Sequence, residues 1–197
     1  MPMEKKEHTT YLSAGTLVGK NSPRVEFRGR LDSLAAAVVE LQILAQQQKR
    51  DLLIGELEEI REKIYDIIAC EVRGEPCADL SLWGLDSDEI RERSHQPEKH
   101  FGLGHIRPHY TMGILPAALN KLRTQVRETE LAACRAFDSA ALQGEPERPD
   151  ILKVLNRLSS AVYILTYRYL PEGYDKTVTF GKRKNRPASS DEDDKAE

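Results

Sequence analysis

Cysteines and long apolar runs are both scarce in this sequence, and each scarcity removes a class of protein. The three cysteines, Cys70, Cys77 and Cys134, are few, unevenly spaced and odd in number among 197 residues. A disulfide scaffold is thereby excluded, and reduced thiols in a cytoplasmic protein are expected. No uninterrupted apolar stretch approaches the ~20 residues that a membrane-spanning helix needs, so no membrane association is expected. The opening residues, Met1 to His8, lack the apolar core of a secretory signal. Neither sign of charge dominates: the formal net charge is −3, which argues against a general nucleic-acid binder. No Walker pattern, no Cys-x-x-Cys, no Ser-His-Asp order and no paired-carboxylate arrangement can be found. What remains is 40% hydrophobic and 31% charged, the balance of one globular domain with a single sizeable core.

The abundant signal is helical. Leu34, Val38, Leu41 and Ala45 recur at spacings of four, three and four, and Leu53, Leu57, Ile60, Ile64 and Ile67 form a second stripe with Glu58, Glu59, Arg61 and Glu62 opposite. That second helix should stop near Gly74 and Pro76. A third helix is predicted from about Leu115 to Leu142, burying Leu115, Leu119, Leu122, Val126, Ala133 and Phe137. A fourth runs from about Pro149 to Leu170, burying Ile151, Leu155, Leu158, Val162, Leu165 and Tyr169, with Pro149 suited to a helix start. Between them, residues 74–113 are punctuated by glycine and proline, with room for a short helix from Asp86 to Arg93. Asp86 and Glu89 have the spacing of a capping box there. A connection this long inside a compact domain usually has a job. No alternating strand pair is evident. The fold class expected is all-α, an up-and-down bundle of four to five helices. From Gly181 onward the tail has five basic and five acidic residues and no large apolar side chain that could bury a face, so disorder is expected.

Several polar residues share faces with the apolar stripes. Arg123, Arg127 and Glu130 form one charged stripe on the third helix, beside Leu119, Leu122 and Val126. This suits either a solvated face, with an Arg127–Glu130 pair worth only ~0.2–0.5 kcal/mol, or a ligand-facing edge. Asn156, Ser160 and Tyr163 make a similar edge on the fourth helix, where Asn156 is a poor helix former in mid-helix. Thr16, Lys20, Ser22, Arg24, Arg28 and Arg30 lie among glycines in the first 30 residues, a composition that suits a polyphosphate. Four of the five histidines, His95, His100, His105 and His109, fall in the irregular segment without a familiar zinc spacing, and local hydrogen bonding is the simpler expectation.

Taken together, three blocks resemble the cobalamin adenosyltransferases. They are Lys20-x-x-Pro23-Arg24 with Phe27-Arg28-Gly29-Arg30-Leu31-Asp32-Ser33, then Leu122-Arg123-Thr124-x-x-Arg127-Glu128-x-Glu130, then Leu155-Asn156-Arg157-Leu158-Ser159-Ser160. Ser94-His95-Gln96-Pro97, preceded by Gly84-Leu85-Asp86-x-Asp88-Glu89, looks more specifically like the ethanolamine-utilisation branch, as does Arg148-Pro149-Asp150-Ile151-Leu152. The propanediol-utilisation type shares the wider scheme.

The resemblance implies transfer of the 5′-deoxyadenosyl group of ATP to the cobalt(I) of cobalamin, with release of triphosphate. It implies ATP and Mg²⁺ as cofactors, ATP held between subunits of a homo-oligomer (a trimer in the propanediol type), and adenosylcobalamin destined for ethanolamine ammonia-lyase. A flavin reductase and association with a microcompartment are further implied partners. Residues 1–30 would be the nucleotide-binding loop, 31–173 the helical-bundle domain and 181–197 the disordered tail. Matched by motif, Thr16, Lys20 and Arg24 would hold phosphate, and Arg127, Glu130 and Asn156 would position the nucleotide. Asp32 and Arg123 would pair across subunits, joining Arg127 in the catalytic machinery. Phe101, His105 and Tyr110, in the irregular segment, are the candidates to face the corrinoid. Longer members of the ethanolamine branch carry an N-terminal cysteine-rich metal motif that this sequence does not contain, so no structural metal is expected. The competing expectation is a non-catalytic helical protein that carries a corrinoid or nucleotide to a partner.

Overall fold

Four helices of 20–25 residues supply the core because each repeats apolar side chains every three to four positions. The computed structural model describes residues 6–13, 16–138 and 146–178. Helix α1 spans Pro23–Gln47, α2 Asp51–Arg73, α5 Ile114–Phe137 and α6 Pro149–Arg168. The short helices α3, Ser87–His95, and α4, Pro97–Phe101, lie between α2 and α5. α1 packs against α2 and α5, α5 against α6, and α3 lies on α6. The expected stripes are buried: Leu53, Leu57, Ile60, Ile64 and Ile67 are wholly shielded, as are Leu119, Val126, Ile151, Leu155 and Leu158. Each such side chain contributes about 1.5–3 kcal/mol relative to remaining exposed. Tyr169 is only partly buried, and its hydroxyl donates to the buried Glu56 Oε2 at 2.7 Å.

Helix ends follow local chemistry. Gly74 closes α2 in the left-handed conformation (φ 69°), where a side chain would be strained. At the start of α3, Asp86 Oδ1 accepts from the Glu89 N–H at 2.8 Å and Glu89 Oε2 accepts from the Asp86 N–H at 3.0 Å. The capping box is formed as its spacing predicts.

The N-terminal region differs from the expected loop in two ways. Thr9–Ser13 (β1) and Thr16–Gly19 (β2) pair antiparallel, with Thr9 opposite Gly19 and Tyr11 opposite Leu17. These strands are too short to alternate visibly, but their Thr, Tyr, Leu and Val content favours extended backbone. Helix α1 then begins at Pro23 rather than near Leu31, since a Ser-Pro pair serves equally as a turn and as N-cap plus first helical residue. Arg24, Arg28 and Arg30 therefore stand on helix. The third helix stops at Phe137, short of the expected Leu142, because Asp138 is already extended; residues 139–142 and the expected disordered tail from Gly181 lie outside the described residues.

Candidate active site

The α5 stripe and the α6 edge face the same cleft. Arg123 and Arg127 of α5, Asn156, Ser159, Ser160 and Tyr163 of α6, Ser94 and His95 ending α3, and His105 of the following loop line a cavity of about 270 Å³. Spacings of four along α5 place both guanidiniums on one face, and the tight antiparallel packing of α5 on α6 turns that face toward Asn156. The cleft is cationic. Arg127 is exposed and has no ion-pair partner among the described residues. Burial, and then the neighbouring Arg127, lower the pKa of Arg123, which stays charged at any physiological pH.

Hydrogen bonds fix the polar groups around these arginines. Asn156 Nδ2 donates to Glu130 Oε1 at 2.9 Å, and its Oδ1 accepts from Arg157 Nη1 at 2.8 Å, so the orientation of the amide is determined. Glu130 bonds across to α6 and not to Arg127 on its own helix. The Arg123 guanidinium lies over the Tyr163 ring, 4.8 Å from its centre. Tyr167 donates its hydroxyl to the Gly104 carbonyl at 2.9 Å and accepts the Ile106 N–H at 3.1 Å. Its proton being so committed, Tyr163 donates to Tyr167 across 3.0 Å, and His105 Nδ1 lies 3.3 Å from the Tyr163 oxygen. Burial, reinforced by the bond from Tyr163, pushes the Tyr167 pKa far up, so the phenol stays neutral.

A second cavity of about 470 Å³, lined by His95, Gln96, Pro97, Glu98, Lys99, Gly104 and His105, adjoins the first and shares its two histidines. Phe101 stacks on Tyr167 with ring centres 4.8 Å apart and planes 17° apart. Phe101 and His105 are thus gathered around the Tyr163–Tyr167 pair. Tyr110 is not: it is 87% exposed and packs on His109, with ring centres 4.4 Å apart. The other histidines bond locally, His95 Nδ1 to the Arg91 carbonyl at 2.9 Å and His109 Nδ1 to Thr111 Oγ1 at 2.9 Å.

The proposed phosphate residues of the N-terminal region do not line this cleft. Thr16 and Lys20 are exposed on the β-hairpin. Arg24 pairs with Glu147, lies 3.9 Å from Glu71, and covers the Phe137 ring at 5.3 Å. Asp32 is exposed on α1 and has no ion-pair partner among the described residues, while Arg123 faces Tyr163 within the same chain. One chain therefore presents two separate parts of the predicted site. Tyr167 and Glu71 escaped the sequence reading. Tyr167 follows Tyr163 by one helical turn, and Glu71 follows Ile67 by four residues in the apolar register; both spacings are signals that were available.

Comparison with known proteins bears on this arrangement. The profile of the cobalamin adenosyltransferase family matches residues 3–169. The corrinoid adenosyltransferase EutT of Salmonella typhimurium is 41% identical over 165 residues, and its counterpart in Escherichia coli K12 is 39% identical. Each alignment covers 83% of this chain and 60% of the relative, so the chain spans about 60% of the length of the curated relatives it matches. Among solved structures, a variant PduO-type ATP:corrinoid adenosyltransferase from Lactobacillus reuteri complexed with cobalamin and ATP superposes with a TM-score of 0.64 at 20% identity. That match covers 87% of this chain and 96% of the other. A second variant PduO-type enzyme from the same organism, complexed with ATP, gives 0.59 at 22% identity, covering 82% and 88%. These two likenesses establish the fold. With the profile matched over most of its length, the chain belongs to the cobalamin adenosyltransferase family.

Proposed function

We propose that the protein is an ATP:corrinoid adenosyltransferase of the ethanolamine-utilisation type, acting as a homo-oligomer with ATP held between subunits. The observation that carries this reading is the convergence of Arg123, Arg127 and the Glu130–Asn156 pair, from two separate sequence blocks, on one cationic cleft that opens beside His105. A scaffold protein has no use for two adjacent guanidiniums in a cleft, where their mutual repulsion costs stability unless an anion joins them.

In this reading cobalt(I) of the corrinoid substrate attacks C5′ of the ATP ribose, the C5′–O bond breaks, and triphosphate leaves with the electron pair. Arg127 and Arg123 neutralise the charge that develops on the leaving oxygen. Asn156, its amide fixed by Glu130 and Arg157, positions the nucleotide. No proton is removed in this step, so no general base is required. Mg²⁺ bound to ATP would supply further charge neutralisation on the phosphates. Among the described residues no group of three or more His, Cys, Asp or Glu side chains could hold a metal ion, so the ion would come with ATP. Phe101, His105 and the second cavity are where the corrinoid would lie, whereas Tyr110 stands apart on His109. An apolar wall in this segment would exclude water from the cobalt and so ease its reduction, by an electron supplied from a flavin reductase. The product would serve an ethanolamine ammonia-lyase.

Assembly from several copies is supported by the outer face of α1. Asp32, Ala36, Val39 and Ile43 recur there at spacings of four, three and four and are all exposed, Val39 at 43% and Ile43 at 51%. An apolar stripe of this kind around one carboxylate suits a contact with another copy, in which Asp32 would meet Arg123 and the hairpin of one chain would complete the cleft of the next. A trimer is the assembly proposed.

Purified protein mixed anaerobically with cob(I)alamin and MgATP tests the reading. Conversion of the cob(I)alamin bands to those of light-sensitive adenosylcobalamin, with stoichiometric triphosphate, is expected. A shifted cob(II)alamin spectrum without conversion would mean a carrier instead.

A further inference from the structure

On α2 the buried stripe Ile60, Ile64, Ile67 continues by its own spacing to Glu71. A carboxylate there occupies a core position. Its side chain is 1% exposed, and Glu71 Oε1 is buried without a hydrogen-bond partner. An apolar residue would serve the packing better, since burying a half-satisfied charge is unfavourable. What the carboxylate holds is therefore the question. Glu71 Oε2 accepts from Arg28 Nε at 2.6 Å, and Arg28 Nη1 donates to the Leu12 carbonyl of β1, also at 2.6 Å. The unpartnered Oε1 lies 3.9 Å from Arg24 Nη1. Arg24 also pairs with Glu147, whose side chain is 57% exposed.

We propose that Glu71 is a positioning residue for the triphosphate of ATP, acting through Arg28 and Arg24. Through Arg28 it anchors the strand paired with Thr16–Gly19, which carries Thr16, and so sets the hairpin that ends at Lys20. Beside Arg24 it supplies a fixed buried charge that keeps the guanidinium near the hairpin, while the exposed Glu147 acts as an exchangeable counter-ion that a phosphate displaces. This role rests on the adenosyltransferase reading for the identity of its ligand, but its chemistry requires only a polyphosphate. None of the three sequence blocks that carry the family resemblance includes Glu71.

The test separates position from mere folding. Glu71→Leu completes the apolar stripe, so the thermal midpoint should hold or rise. Its KM for ATP should nevertheless rise about tenfold, the scale of losing one charge-assisted contact. The KM for the corrinoid should stay within about twofold and kcat at saturating ATP within about threefold. Glu71→Gln, which retains an acceptor for Arg28, should recover most of the loss in ATP KM. An unchanged ATP KM in the Leu variant overturns the proposal, as does a parallel rise of both KM values with a lowered midpoint. Calorimetric titration with inorganic tripolyphosphate gives a readout free of turnover. If the unsubstituted protein binds tripolyphosphate but forms no adenosylcobalamin, the activity reading falls, and weaker binding by Glu71→Leu still upholds the positioning role. Equal tripolyphosphate affinity in the two proteins overturns it.

Discussion

The guanidinium of Arg123 stands 4.8 Å from the centre of the Tyr163 ring, and the hydroxyl of that same ring lies 3.3 Å from His105 Nδ1. One α6 side chain thus joins the cationic stripe of α5 to the irregular segment that follows α3. Stacking on an aromatic face holds a guanidinium in place without consuming its N–H donors, which remain directed at the cleft. The contact is worth about 0.5–2 kcal/mol, depending on how far it is desolvated.

Two substitutions divide the duties of Tyr163. Tyr163→Phe keeps the ring under Arg123 but removes the hydroxyl near His105 and Tyr167, so the KM for the corrinoid should rise several-fold while that for ATP holds. Tyr163→Ala removes both contacts, and kcat should fall as well. Steady-state kinetics with each substrate varied in turn would decide. Identical kinetics for the two variants would mean that ring and hydroxyl have no separate roles.

Arg127→Ala should lower kcat more than tenfold. The loss expected for deleting one donor that stabilises developing charge is about 2.7–4 kcal/mol. Circular dichroism should be unchanged, because Arg127 is exposed and makes no ion pair among the described residues. Full turnover in this variant would remove Arg127 from the chemistry.

Asp32→Asn probes assembly and activity together. Within one chain Asp32 makes no ion pair among the described residues, so its loss should not affect the folding of the bundle. If it meets Arg123 of another copy, sedimentation should show a smaller species at micromolar concentration, with turnover falling in step. A full-size assembly with normal turnover would count against the bridge.

The bundle was legible because its information is periodic: a stripe such as Leu53 to Ile67 fixes both the helix and its buried face. The capping box at Asp86 was legible for a similar reason, being wholly local. The hairpin was not, since Thr9–Ser13 and Thr16–Gly19 are too short for alternation to emerge. Arg123, Arg127 and Glu130 could be placed on one helical face from spacing, as could Asn156 and Tyr163. That the two faces share a cleft is a tertiary fact, fixed by the packing of α5 on α6. Glu71 escaped notice because a charged residue on a charge-rich helix reads as solvent-facing until its register with Ile64 and Ile67 is counted.

The start of α6, which carries Asn156 into the cleft, is held by a clasp that titrates. Asp150 accepts from Arg148 Nε at 3.0 Å and Nη2 at 2.8 Å, and from the Cys77 N–H at 2.8 Å. Burial alone would raise its pKa, but the bonds from Arg148 and from the Cys77 and Ile151 amides outweigh it and bring the value from 3.8 to about 2. A carboxyl with a depressed pKa in the folded state stabilises that state fully above its unfolded value. The contribution then fades as pH falls through the folded value. Asp150→Asn should therefore lower the urea midpoint at pH 6, and the gap from the unsubstituted protein should narrow between pH 4 and pH 2, windows set by the two pKa values. Cys77 precedes the segment that leads into α3. Loosening the clasp should therefore also raise the KM for both substrates at neutral pH, because α3 and α6 each supply one wall of the cleft. A urea gap of constant size across the acid range would place the stabilisation in packing and not in the ion pair.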